Sequence, residues 1–168
     1  MDVYEAIKVR RSIRAYQAKP VPEDVLNRVL EAARLAPSAR NRQEWRFIVV
    51  REEKTRRALA EAANGQDFLA QAPACLAFCA TKLHVMGCGV DAGIVDTSIP
   101  LAYVTLAAAA EGLGTCWLGA FDQDAVREVL GVPDGALVVG LTPLGYPAEK
   151  PAARPRKPAG EVISFERW

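Results

Sequence analysis

The residues best equipped for chemistry in this 168-residue chain are cations gathered near its two ends. Arg10, Arg11, Ser12 and Arg14 form one group, and Arg154, Arg156 and Lys157 form the other. Guanidinium groups present forked donors that match a phosphate, and Ser12 adds a hydroxyl and a backbone N–H. If the first group is helical, Arg10 and Arg14 lie four apart on one face. A solvated helix end and a disordered basic tail account for the same residues as plain surface charge. Between the groups runs a donor-rich loop, Pro37-Ser38-Ala39-Arg40-Asn41-Arg42-Gln43. Ser38, Asn41 and Gln43 could read the edge of a polar heterocycle, or simply stop a helix and turn the chain.

Charge is unevenly spread. Residues 1–57 hold 14 Lys/Arg against eight Asp/Glu, residues 58–149 hold two against ten, and residues 150–168 hold five against two. Two basic ends can attract an acidic middle, or converge on one bound anion. No long basic stripe is present, which argues against a nucleic-acid partner. Equally informative are the motifs that are missing. There is no Gly-x-Ser-x-Gly elbow, no His-Glu-x-x-His, no phosphate loop ending in Gly-Lys-Ser/Thr, and a single histidine. His84 and Cys88 are too few for a structural metal. Cys75 and Cys79, four apart on a strand-like run, share a side and belong in a core. Hydrolysis by a triad or a metal lacks its parts, so reaction chemistry must come from a cofactor.

The elements that position these groups read as follows. A short helix spans residues 2–11, and Pro22 opens a second that Pro37 ends. Residues 46–50 are strand-like, a helix covers about 53–63, and residues 74–80 form a second strand with a loop at 81–90. Ile99–Glu111 is apolar nearly all round, marking a central buried helix too short to cross a bilayer, and Pro100 should start it near Ser98 or kink it. Gly112-Leu113-Gly114 follows a helix and precedes a strand, 115–121, the reverse of the dinucleotide fingerprint order. It is therefore a helix end needing positive φ. Asp122 caps a helix to Leu130, residues 136–144 are a strand, and a proline-spaced tail leads to a strand pattern at 161–168. An apolar content of 51% and a charged content of 24% suit one soluble domain over residues 1–168. No secretory signal opens the chain, and four cysteines without CxxC spacing fit free thiols in the cytoplasm.

Taken together, the sequence resembles the nitroreductase family of flavoenzymes. Arg10-Arg11-Ser12-Ile13-Arg14 is similar to that family's opening Arg-Arg-Ser-x-Arg motif, which grips the phosphate and pyrimidine edge of FMN. Pro20-Val21-Pro22 and then Ala36-Pro37-Ser38-Ala39-x-Asn41-x-Gln43-x-Trp45 resemble the next block, a loop that reaches the flavin of the partner subunit. Gly112 to Gly119, including Trp117, Leu118 and Gly119, resembles the third, whose backbone N–H groups approach flavin N5. Gly145-Tyr146-Pro147 with Arg154, Arg156 and Lys157 resembles the last, which returns to the phosphate. The resemblance spans nearly the whole chain in order. It implies an α+β fold with a mostly antiparallel sheet flanked by helices, and a homodimer with composite sites and an exchanged C-terminal strand. It also implies an FMN-dependent oxidoreductase that takes electrons from NADH or NADPH and reduces small acceptors, nitroaromatic or quinone, by a ping-pong cycle. No side-chain nucleophile is expected, and Arg14 would give electrostatic support at the ring edge. Reductive dehalogenation or free-flavin reduction on the same scaffold, and a flavin carrier without turnover, are the rival readings. Glu44 stands where the family often has proline, Pro100 interrupts the central helix, and Tyr103 replaces a commonly polar residue. These bear on the acceptor, not on the cofactor, and a role for Cys116 stays open.

Overall fold

The computed structural model describes residues 1–168. Strand β2 (Ala74–Ala80) is the centre of the molecule, buried along its whole length. It lies between β1 (Trp45–Val50) and β4 (Leu137–Gly145), and the two-residue β3 (Gly114–Thr115) closes the far edge in the order β1-β2-β4-β3. Every pairing is antiparallel. Alternate β2 side chains point to opposite faces, so one strand serves two cores. Cys75, Ala77 and Cys79 pack with α3 (Glu53–Ala62), α4 (Phe68–Gln71) and α6 (Gln123–Leu130). Ala74, Leu76 and Phe78 pack with α2 (Glu23–Arg34) and α5 (Ala92–Ala110). The architecture is the expected α+β, an antiparallel sheet with helices on both faces.

Local signals decide several element ends. Helix α1 (Val3–Val9) begins at a capping box in which Asp2 and Glu5 satisfy each other's backbone N–H groups. Asp122 caps α6 through the Ala125 N–H. Gly112 takes φ +72° just beyond α5, as a helix end requires.

Three expectations need correction. Pro100 does not start the central helix, because Asp91 caps it nine residues earlier, its carboxylate accepting from Ile94 N–H at 3.1 Å. The helix therefore reaches 19 residues, long and apolar enough by length and composition to span a bilayer. In this chain it instead lies across the sheet and α2, half buried. The strand at 115–121 stops at Thr115 and resumes only as a bridge from Leu118 to Leu141. Within the single chain, residues 161–168 form no strand: a helical turn, α7 (Ala159–Val162), takes the first two of them, and no ladder of this chain receives the rest. A strand pattern needs a partner edge, and the tail pairs with none of the four strands of its own sheet.

The Arg-rich segment is fixed by a close approach. Ile13 N–H donates to the Thr115 carbonyl at 2.9 Å, and a Cβ on Gly114 would meet Ile13 Cγ1 at 2.7 Å. Gly114→Ala should push Ile13 off the sheet edge and lower stability by about 1–3 kcal/mol. Urea unfolding checks this, with a shifted midpoint and an unchanged slope as the expected result.

Candidate functional site

Helix α1 ends at Val9, and Arg10, its C-terminal cap, turns to extended backbone at φ −53°, ψ 129°. Arg10 and Arg14 therefore do not share a helix face. The segment runs as an edge strand, with Ser12 bridged in parallel to Thr115. Period-two alternation then sends Arg10, Ser12 and Arg14 to one side while Ile13 fills the other, 5% exposed. The same side-by-side cations are obtained, by a different backbone.

Ser12 and the arginines line a cavity of about 370 Å³ that also receives Ala152–Arg156 from the opposite end of the chain. Its lining holds Lys8, Arg10, Arg11, Arg14, Arg154 and Arg156, and no Asp or Glu. Of the ten arginines elsewhere, five (Arg28, Arg34, Arg51, Arg57 and Arg127) each meet a carboxylate within 3.3 Å. None of the cavity's cations has such a partner. Like charges gathered without a counter-ion repel, so the fold holds them together at a cost. That arrangement fits an anion, and phosphate best, because forked donors from several directions match its oxygens.

Individual roles differ. Arg11 turns back, its Nη1 donating to the carbonyls of Lys8 at 2.6 Å and Arg10 at 2.9 Å, which stabilises the end of α1. Arg14 offers only its side chain, since its backbone N–H is taken by the Glu149 carboxylate. Lys157 is not part of the lining. A larger cavity of about 780 Å³ adjoins Arg10 and Arg11 and is bounded by Leu113, Thr115, Pro147 and Glu149.

The loop at Pro37–Gln43 does not line the arginine cavity within one chain. It is strained instead. Arg40, Asn41 and Gln43 take φ of 54°, 55° and 54°. Non-glycine residues cost about 1 kcal/mol or more each in that region, and such clusters mark functional loops. Ser38 Oγ accepts from Gln43 N–H at 3.0 Å, and Gln43 Nε2 donates to the Asn41 carbonyl at 3.1 Å, leaving both side chains exposed. Ala39 N–H is held between the two Asp96 oxygens at 3.2 and 3.1 Å.

Trp117, Leu118 and Gly119 also lie outside that cavity. Leu118 exchanges two backbone hydrogen bonds with Leu141, at 2.9 and 3.0 Å. The Trp117 indole lies over Gly140, where a Cβ would meet its Nε1 at 3.1 Å and Leu101 Cδ2 at 2.8 Å. Sequence reasoning missed Gly140, Asp96 and Glu149. A glycine in a strand interior was the one available signal for a close approach; the two carboxylates carry no local pattern. Glu44, half-buried, faces His84 Nδ1 at 3.3 Å, so the loop at 81–90 touches the residue just after the Pro37–Gln43 loop.

The three buried thiols are not poised to react. Burial pushes Cys75 up to about 12 and Cys79 up to about 11. Burial also raises Cys116, which Arg14 and a hydrogen bond from Ser12 only partly offset. Cys116 therefore stays a thiol at neutral pH, a structural neighbour of the arginine cavity.

A sequence profile of the nitroreductase family matches residues 7–81 and 62–146. The chain belongs to the nitroreductase family. It is 37% identical over 195 residues to a Thermus thermophilus protein named NADH dehydrogenase, covering 97% of this chain and 95% of that one. A Bacillus subtilis FMN reductase (NAD(P)H) is 31% identical over 186 residues, with 99% of this chain and 74% of the relative covered. Among solved structures, a nitroreductase family protein from Clostridium difficile superposes with a TM-score of 0.90 at 32% identity, covering both chains fully. As a nitroreductase-family enzyme the chain is an NAD(P)H oxidoreductase, and the expected fold and activity class both stand.

One thiol should distinguish itself. Only Cys88 is exposed. Ellman's reagent should titrate one thiol per native chain near pH 8 and four after denaturation; a second rapidly reacting thiol in the native protein would mark Cys116 as accessible.

Proposed function

We propose that the chain binds FMN and uses NADH or NADPH to reduce small oxidised acceptors, nitroaromatic or quinone, in a ping-pong cycle. The observation that carries this reading is the cavity where both ends of the chain meet: six cations and Ser12, with no carboxylate. Arg10, Ser12, Arg154 and Arg156 hold the phosphate by charge-assisted hydrogen bonds. When bound, FMN would supply hydride-transfer chemistry between the nicotinamide and the acceptor. The chain's own residues bind and tune. Arg14 gives a fixed positive charge toward the ring edge, which favours negative charge developing there. Trp117, fixed over Gly140, and the adjoining Leu118–Gly119 backbone form a rigid wall rather than a reacting group. No side chain acts as nucleophile, which agrees with a buried Cys116.

The reading extends to a homodimer with composite sites. Asn41 and Gln43 are exposed and the loop bearing them lies off its own chain's arginine cavity, so a second copy is the proposed recipient. Apolar side chains that a lone chain leaves in water point the same way. Val3, Tyr4 and Ile7 are exposed on α1, Ile94 and Tyr103 on α5, and Ile163, Phe165 and Trp168 on the tail. Burying several such groups is worth about 1.5–3 kcal/mol each, enough to hold a dimer.

Separate measurements decide the cofactor and the dimer. Acid release and chromatography should yield FMN, and anaerobic NAD(P)H should bleach the yellow band; FAD, or a colour that NAD(P)H leaves intact, would overturn the reading. In Arg10→Ala, FMN affinity should fall about ten- to a hundredfold, while the flavin-free protein melts no lower than wild type because repulsion is relieved. For the dimer, light scattering should give twice the chain mass. Mixing inactive Arg10→Ala with inactive Asn41→Ala should restore part of the activity, since a mixed dimer regains one intact site. Sites built within one chain would regain none.

A further inference from the structure

Asp96 is an expensive residue in its position. It is a carboxylate on α5, 7% exposed, and the donor it meets is one neutral group, the Ala39 N–H. A buried carboxylate with a single neutral donor is poorly compensated for the water it has lost. Pro100, four residues on, has no N–H, so the Asp96 carbonyl lacks its helical donor as well. On stability alone, an apolar or amide residue would serve better here.

What Asp96 accomplishes is anchorage. The hydrogen bonds among residues 37–43 are internal: Asn41 N–H to the Ser38 carbonyl, Arg42 N–H to the Ala39 carbonyl, and the Ser38–Gln43 and Gln43–Asn41 contacts. The Asp96–Ala39 bond is the one hydrogen bond tying this segment to a distant part of the chain. It grips the residue immediately before the left-handed run, where the backbone enters at φ −142°, ψ 160° through Ser38. A strained run relaxes unless its entry is fixed, and a carboxylate with both oxygens on one N–H fixes it more firmly than a neutral acceptor.

We infer that Asp96 is a positioning residue: from the central helix it holds the Ala39 N–H and thereby sets the orientation of Asn41 and Gln43 toward the flavin. This rests on the reading that the Ser38–Gln43 loop contacts flavin. A consequence follows for Ala39. Its N–H is committed to Asp96, so contact with the flavin is left to its methyl group or carbonyl.

The bond can be removed from either side. Asp96→Ala deletes the acceptor, and Ala39→Pro deletes the donor without touching α5. Proline is compatible there, because Ser38 already has the extended backbone favoured before proline and Ala39 is a first helical position. In the FMN-loaded full-length protein, each variant should weaken FMN binding about tenfold and change the visible circular dichroism of the flavin. The double variant should be no worse than the worse single one, since both remove the same bond. Asp96→Asn retains an acceptor oxygen and should stay within about threefold of wild type, which also covers the chance that Asp96→Ala folds poorly. Two results overturn the assignment: a lower melting temperature with wild-type FMN affinity and flavin dichroism at 25 °C, or losses that multiply in the double variant. Asn41→Ala and Gln43→Ala separate the layers. If both bind FMN as wild type does, the reading of the loop fails; if they lose FMN and Asp96→Ala does not, the assignment of Asp96 fails.

Discussion

A single backbone hydrogen bond, from Ile13 N–H to the Thr115 carbonyl, anchors the site. It lays the segment after α1 along the edge strand β3, and it works only because Gly114 has no side chain to hold Ile13 away. Once Ile13 is seated, alternation places Arg10, Ser12 and Arg14 on the opposite side. The tail then reaches the same place because β4 ends beside β3, with Gly145 paired to Gly114. The chain leaving β4 is thereby carried past the arginines, and Ala148 N–H reaches the Ala15 carbonyl.

The electrostatic design follows from this backbone scaffold. Six cations around one cavity, without a carboxylate in its lining, would drift apart on flexible loops. Here the first group is pinned to the sheet and Arg11 is turned onto helix carbonyls, so repulsion is resisted by backbone geometry. Glu149 lies outside the lining of that cavity and forms no ion pair with Arg14; its carboxylate takes the Arg14 backbone N–H instead. Charge complementarity to an anion is thus built in before any ligand arrives, which lowers the cost of binding it.

Helix α5 joins the two halves of the proposed site. One face packs on the sheet through Leu101, Val104 and Ala108, and Leu101 shares Gly140 with the Trp117 indole. Another face presents Asp96 to the strained loop. Its Ile94 and Tyr103 remain exposed, available for a second copy. A helix apolar nearly all round is suited to this, because it can be in contact on several sides at once.

The family was legible in the sequence because its four blocks depend on residue type and order: the arginine motif, the loop around Ser38–Gln43, the Gly112–Gly119 segment and the basic tail. Helix ends with side-chain caps were legible too, as at Asp122, since a cap is a local interaction. Strands β1, β2 and β4 followed from apolar runs with turn residues at their ends. What the sequence did not reveal was long-range. Arg10 and Arg14 come together through sheet pairing rather than helix periodicity, and only the approach of Gly114 shows why. Pro100 lies inside a helix because a cap at Asp91 and packing on two sides outweigh one missing donor. The apolar alternation at 161–168 is no strand in one chain, since a strand exists only where an edge receives it. Asp96 has no sequence signature at all. Its partner is 57 residues away, and a buried carboxylate acquires its meaning from the N–H that the fold brings to it.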